Sequence, residues 1–155
     1  IVSAVTHDTS ETKMTISGVP DKPGIAAGVF RALSDVDVNV DMIVQNTSEH
    51  GVTDISFTVP HGDLDVSMSI AQDLVEEIGA TGVSSDTEVA RVSVIGAGMR
   101  SNPGVAASMF ETLANNEINI QMISTSAIRI SCMVAETQIN DAVKALHETF
   151  GLAEA

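Results

Sequence analysis

Basic residues are scarce here: seven lysines and arginines stand against 21 aspartates and glutamates in 155 residues, for a formal charge of −14. Nucleic acid and anionic membrane both need a basic footprint, so the shortage argues against either as a partner. The acidity otherwise serves solubility. The one cysteine, Cys132, falls inside an expected strand and reads as a small buried hydrophobe in a reducing compartment. No apolar run reaches transmembrane length, and the opening IVSAVTHDTSE has no basic n-region of a signal peptide. The expected location is the cytoplasm. His7, His50, His61 and His147 lack a Cys or His partner at ligand spacing, so no metal site is expected. There is no Gly-Lys-Ser/Thr phosphate loop and no Ser or Cys nucleophile motif. Gly96-Ala97-Gly98 follows a strand, but Ser101 stands where a dinucleotide fingerprint needs its third glycine. Glu76-Glu77 and Asp63/Asp65 read as solvated helix charges. No catalytic residue and no cofactor is expected.

What the sequence does contain is a repeat. PGIAAGVFRALSDVDVNVDMI begins at Pro23, and PGVAASMFETLANNEINIQMI begins at Pro103, 80 residues later. Upstream, Ile16-Ser17-Gly18 answers Val94-Ile95-Gly96; downstream, Ile55–Val59 answers Ile130–Val134. Elements are kept while loops vary in length, as in two copies of one module. Such a pair offers quasi-equivalent surfaces, which suits binding and regulation better than a single catalytic centre.

Each copy reads as β-α-β-β-α-β, the ferredoxin-like α+β arrangement. In the first, MTISGV alternates as a strand, and Pro23-Gly24 opens a helix on Ile25, Val29, Phe30 and Leu33. Val38–Ile43 and Thr53–Val59 read as strands around a turn at Thr47–Gly51. Leu64–Ile78 reads as a helix and Val83–Glu88 as a last strand. In the second copy the elements are Ala90–Ile95, a helix capped by Ser101 or Asn102, Ile118–Ser124, Ile128–Val134, and a helix on Ile139, Ala142, Val143 and Leu146. That copy lacks a fourth strand, while Ile1–Thr6 stands ahead of the first copy without a role. The leading strand therefore completes the second module, unless it is a loose arm. The expected domains are 13–88, and 1–8 with 89–155. On the strand after the first helix, Val38, Val40, Met42 and Val44 share one face. Asn39, Asp41, Ile43 and Gln45, matched by Asn119, Gln121, Ile123 and Thr125, are placed on the face away from the helices.

The strand-loop-helix junction, present twice, carries the strongest chemical signal. A helix N-terminus offers unpaired N–H groups and partial positive charge to a carboxylate. Gly24 and Gly104 permit close approach to the backbone, and Asp21 is suited to an ammonium group. Together these fit a free amino acid; plain capping and a tight turn are the alternative.

VTHD, SGVPDKPGIAAGVFRAL, NVDMIVQN, VIGAGMRSNPGV, INIQMISTSAIRIS and ALHETFGL, in this order over essentially the whole chain, resemble the regulatory part of the aspartate kinase family. GAGM-x-S-x-PGV and ISTS-x-IRIS are the more specific segments; Pro-Gly after a strand is common to ACT domains. The resemblance implies two ACT domains in a homodimer, ACT1 of one chain pairing with ACT2 of the other. It implies lysine and/or threonine as feedback effectors at that interface, and a catalytic aspartate kinase subunit or domain as partner. The kinase's Lys-Phe-Gly-Gly start and nucleotide-binding core are absent from this sequence, so the chain is expected to bind and regulate, not to phosphorylate. By the same resemblance the first effector site is Asp21, Pro23, Gly24, Ile25, Ala26 and Gln45, closed by the partner's Asn119 and Ile120. The second is Met99, Ser101, Gly104, Val105 and Ala106, faced by Asn39, Val40 and Asp41 of the partner. Thr125 and Ser126 match positions linked to feedback sensitivity. Ile25 stands where relatives often carry a polar or aromatic residue, and Ala127 where many carry Glu. A rival reading is a stand-alone amino-acid-binding ACT protein serving another enzyme, which would lack ISTS-x-IRIS. A small ferredoxin-like enzyme would need an acid/base or nucleophile set that the sequence does not offer.

Overall fold

The computed structural model describes residues 1–46 and 50–152, without the side chain of Arg100. The expected turn at Thr47–Gly51 thus lies mostly outside the described residues. The elements in order are β1 (Val2–Asp8), β2 (Glu11–Pro20), α1 (Ile25–Asp35), β3 (Ile43–Gln45), β4 (Val52–Pro60), α2 (Leu64–Ile78), β5 (Gly82–Asp86), β6 (Val89–Gly96), α3 (Gly104–Asn115), β7 (Met122–Thr125), β8 (Arg129–Ala135) and α4 (Ile139–Thr149). They form two compact units, Ser10–Thr87, and Ile1–Thr9 together with Glu88–Ala155. No helix among the described residues is long and apolar enough to cross a membrane.

Each unit is one four-stranded antiparallel sheet with two helices. The strand orders are β3-β4-β2-β5 and β7-β8-β6-β1. The leading strand β1 pairs with β6 from Val2↔Gly96 to Asp8↔Arg91 and takes the place that β5 holds beside β2. The Arg91 guanidinium also meets the Asp8 carboxylate at 3.2 Å. At Gly96 a side chain would collide with the carbonyl of Ile1, so glycine is what lets the two strands meet there.

Alternation builds both cores. Met14 and Ile16 of β2, Ile55, Phe57 and Val59 of β4, and Val29 and Leu33 of α1 form the first. Phe30 meets Phe57 edge-on at a centroid distance of 5.5 Å, a geometry worth about 1 kcal/mol beyond area burial. Val92, Val94, Ile130, Cys132, Val134, Met109, Leu113 and Leu146 form most of the second. The opposite sheet faces carry matched hydroxyl pairs: Thr15–Ser56 at 2.9 Å and Ser93–Ser131 at 2.7 Å.

Three expectations are corrected. First, the strands after α1 and α3 are shorter and later, Ile43–Gln45 and Met122–Thr125. Residues ahead of them are used to end the helices. Val38 N–H donates to Leu33 O and Asp37 N–H to Ser34 O; Ile118 and Glu117 repeat this on Leu113 and Ala114. This is the Schellman closure, with Asp37 (φ 61) and Glu117 (φ 58) in the left-handed position glycine usually fills. Second, the facing is reversed. Ile43 pairs with Phe57, Gln45 with Ile55 and Ile123 with Cys132, all core residues on the helix side. Met42 and Met122 are on the other side and buried, each 3% exposed. β3 and β7 are edge strands, so their helix-side residues escape cover: Ile43 is 52% and Ile123 44% exposed. Third, neither Ser101 nor Asn102 caps α3. Its first flanking residue is Pro103, without a side-chain cap, and the Asn102 amide donates back to Gly98 O at 2.8 Å.

Candidate functional site

In the first unit β2 breaks register between Ile16 and Val19. The break sits at Gly18, in the left-handed region at φ 66, with its N–H held by the Asp54 carboxylate at 3.0 Å. The chain then leaves the sheet at Pro20, and Asp21 N–H donates to Gly51 O at 3.0 Å. Gly24 (φ 89) is the residue before α1 and has no side-chain cap. A Cβ there would meet nothing within 4 Å, so glycine serves the backbone turn and leaves the corner open. Ile25 N–H reaches Lys22 O and Gly28 N–H reaches Gly24 O. Among the described residues no acceptor is found for the amides of Gly24 and Ala26. Asp21, Pro23 and Gly24 are exposed, and Ile25 and Ala26 half-buried.

β2 and β3 both run antiparallel to β4, so they run the same way. Gln45, the last residue of β3, pairs with Ile55 at the level of Ile16. It is exposed at the sheet end where the Pro-Gly corner also sits. The Thr53 hydroxyl fixes that end by donating to Asn46 O at 2.7 Å. The corner residues Asp21 to Ala26 and Gln45 thus share one end of one module.

The second unit repeats the plan with a different loop. Gly98 (φ 70) opens a short 3-10 turn, Met99–Ser101, before α3. Val105 N–H reaches Asn102 O, and no acceptor is found among the described residues for Gly104 or Ala106 N–H. Met99 and Val105 are buried in the core cluster, so only their backbone is available at the corner. Ser101 and Gly104 are exposed and Ala106 is half-buried. Thr125 ends β7, paired with Ile130 as that residue pairs with Val94. Ser126 is spent on the turn: its N–H donates to Arg129 O at 2.8 Å, and its hydroxyl accepts Ile128 N–H at 3.3 Å.

Asn39, Val40 and Asp41, and likewise Asn119 and Ile120, lie ahead of β3 and β7, toward the opposite end of each sheet. Asn39, Asp41 and Asn119 are exposed; Val40 and Ile120 pack on the cores. The fold therefore does not bring them to the corner of their own module. Among the described residues no group of three His, Cys, Asp or Glu side chains could hold a metal ion. Cys132 is buried, and burial pushes its thiol up to about 12. Sequence reasoning missed a groove of about 570 Å³ between α1 and α2, lined by Lys22, Arg31 and Glu77 among others. Its only sequence signal was a pair of glutamates that read as surface charge.

Residues 14–79 match the ACT domain model, and residues 92–150 match a second ACT domain model. The chain is 50% identical over 98% of its length to the aspartokinase of Mycolicibacterium smegmatis, and spans 37% of that relative. Among solved structures it resembles a chain of aspartokinase alpha and beta subunits, with TM-score 0.93 and 43% identity over 98% of this chain and 100% of that one. It also resembles the ligand-free regulatory subunit of aspartate kinase from Thermus thermophilus, with TM-score 0.92 and 34% identity over 97% and 99%. A more distant likeness is E. coli aspartokinase III in complex with lysine and aspartate, with TM-score 0.72 and 25% identity over 99% of this chain and 33% of that one. Two ACT domains in tandem, matched end to end by a regulatory subunit, identify the chain as a member of the aspartate kinase family, and as that family's regulatory region.

Proposed function

We propose that this chain senses lysine and/or threonine and passes feedback inhibition to a catalytic aspartate kinase subunit or domain. The effector sits at an interface between ACT1 of one chain and ACT2 of a second copy. The observation that carries this reading is the corner beside α1, where the amides of Gly24 and Ala26, without an acceptor among the described residues, lie at the same sheet end as Gln45. Free helix-end amides suit a carboxylate, and Asp21 suits an ammonium group.

Each corner is half a pocket, and the edge strands offer the other half. β3 and β7 each have one unpaired edge and expose an isoleucine at the matching position, Ile43 and Ile123. Open strand edges with apolar residues are surfaces that a further strand covers. Antiparallel pairing of β3 with the β7 of a second copy would lay the start of one strand beside the end of the other. It would bring Asn119 and Ile120 of the second copy to Gln45 and the Pro-Gly corner. The reciprocal contact would set Asn39, Val40 and Asp41 beside Ser101, Gly104 and Ala106. Effector binding then favours one dimer arrangement and biases the catalytic partner, with coupling of about 1–3 kcal/mol in systems of this kind.

Calorimetry on the chain with its kinase partner tests the reading. Lysine or threonine should bind, and Asp21→Ala or Gln45→Ala should each weaken binding about tenfold, the worth of one hydrogen bond to a charged group. Absence of binding by both amino acids in the presence of the kinase partner would end it.

A further inference from the structure

We propose that the first module carries a second small-molecule site, in the groove between α1 and α2 that adjoins the Pro-Gly corner and shares Gly24 and Ile25 with it, for a free zwitterion with an apolar body. At about 570 Å³ the groove has the capacity of an ordinary small-ligand site. Gly28 and Ala32 of α1 and Leu74 and Ile78 of α2 supply small or apolar lining. Around them stand two cations, Lys22 and Arg31, and two carboxylates, Asp35 and Glu77. Among the described residues none of these four charges is in an ion pair. In a chain with only seven basic residues, two stand at this one groove. A carboxylate can answer Lys22 and Arg31 while an ammonium group answers Asp35 and Glu77, an arrangement an anion or a cation alone would not satisfy.

Among the described residues, the second module does not repeat this lining. α2 and α4 start in register after matching 3-10 turns, but α2 has 15 residues and α4 has 11. α4 stops at Thr149, the counterpart of Leu74, so Glu77 and Ile78 come from a turn of helix that the second module lacks. Where α1 has Gly28 and Ala32, α3 has Ser108 and Thr112. The Thr112 hydroxyl lies 2.8 Å from the Thr149 hydroxyl and donates to Ser108 O at 2.7 Å, a polar bridge between the helices where the first module is open. The charges are not repeated either: Glu111 and Asn115 replace Arg31 and Asp35.

Amide NMR of the ¹⁵N-labelled full chain, titrated separately with each of the twenty free L-amino acids, tests the proposal. At least one should move the amides of Gly28, Ala32 and Ile78 saturably. Arg31→Glu and Glu77→Lys, both at exposed positions, should each weaken that response about tenfold. Ala32→Thr with Leu74→Thr, which imports the second module's bridge, should abolish it. Gln45→Ala should leave it unchanged, since that residue is not among those that line the groove. The proposal is overturned if none of the twenty gives a saturable shift there. It is equally overturned if the shift survives both charge reversals, or vanishes with Gln45→Ala and is thus relayed from the interface.

Discussion

Single residues differ between the modules in ways that act as internal controls. Ser67 on α2 is fully buried, and its hydroxyl finds no partner among the described residues. The second module has Ala142 at the matching place, equally buried. An unsatisfied buried hydroxyl costs on the order of 1–3 kcal/mol, so Ser67→Ala should stabilise the chain by roughly 1 kcal/mol in urea unfolding. Cys132 offers a second test. Burial raises its thiol from 9.0 to about 12 in the folded chain. Between those values the unfolded chain has lost a proton that the folded chain keeps, so stability falls as pH rises across that window, with a slope approaching about one proton. Cys132→Ala should remove that slope. At pH 8 the native thiol should resist iodoacetamide and react only at the rate the second core opens.

At the scale of elements, the helix ends decide where strands begin. Glu117 holds a left-handed backbone that costs an ordinary residue about 1–2 kcal/mol, so Glu117→Gly should raise stability by about 1 kcal/mol in thermal unfolding. The same closure explains what the sequence did and did not reveal. Helix α2 was legible to the residue, because Leu64–Ile78 has helical spacing and ends at Gly79, whose φ is 76. The strands after α1 and α3 were placed too early because Asp37 and Glu117 give no glycine signal for a helix stop. The alternation of Val38, Val40 and Met42 then passed for a strand, although only its last residues reach β4. The leading strand was legible by subtraction, since one module had four strands and the other three. The Pro-Gly corners were legible because they occur twice. The α1–α2 groove was not, because a cavity depends on one extra helical turn and two small residues meeting in space.

At the scale of the whole molecule, the exposed isoleucines are the test of assembly. Ile43 and Ile123 occupy matching places on the two open strand edges. If the proposed β3–β7 interface forms, Ile43→Lys should raise its dissociation constant about tenfold or more, equivalent to about 1.4 kcal/mol, as read by light scattering across a dilution series. Circular dichroism should be unchanged, because the residue lies outside both cores. On the proposed function, any lysine or threonine affinity should be lost together with the dimer, because the proposed site needs both copies.

The pairing of β1 with β6 also has a consequence for biogenesis. A chain emerging from the ribosome delivers Val2–Asp8 well ahead of its partner strand Val89–Gly96, which appears only after all of Ser10–Thr87 has been made. The intervening unit has every one of its own strands by then and is free to close. The early strand meanwhile waits with its backbone unpaired, exposed to any other edge or to a chaperone. Synthesis speed through the stretch between β1 and β6 therefore sets how long that segment must be protected.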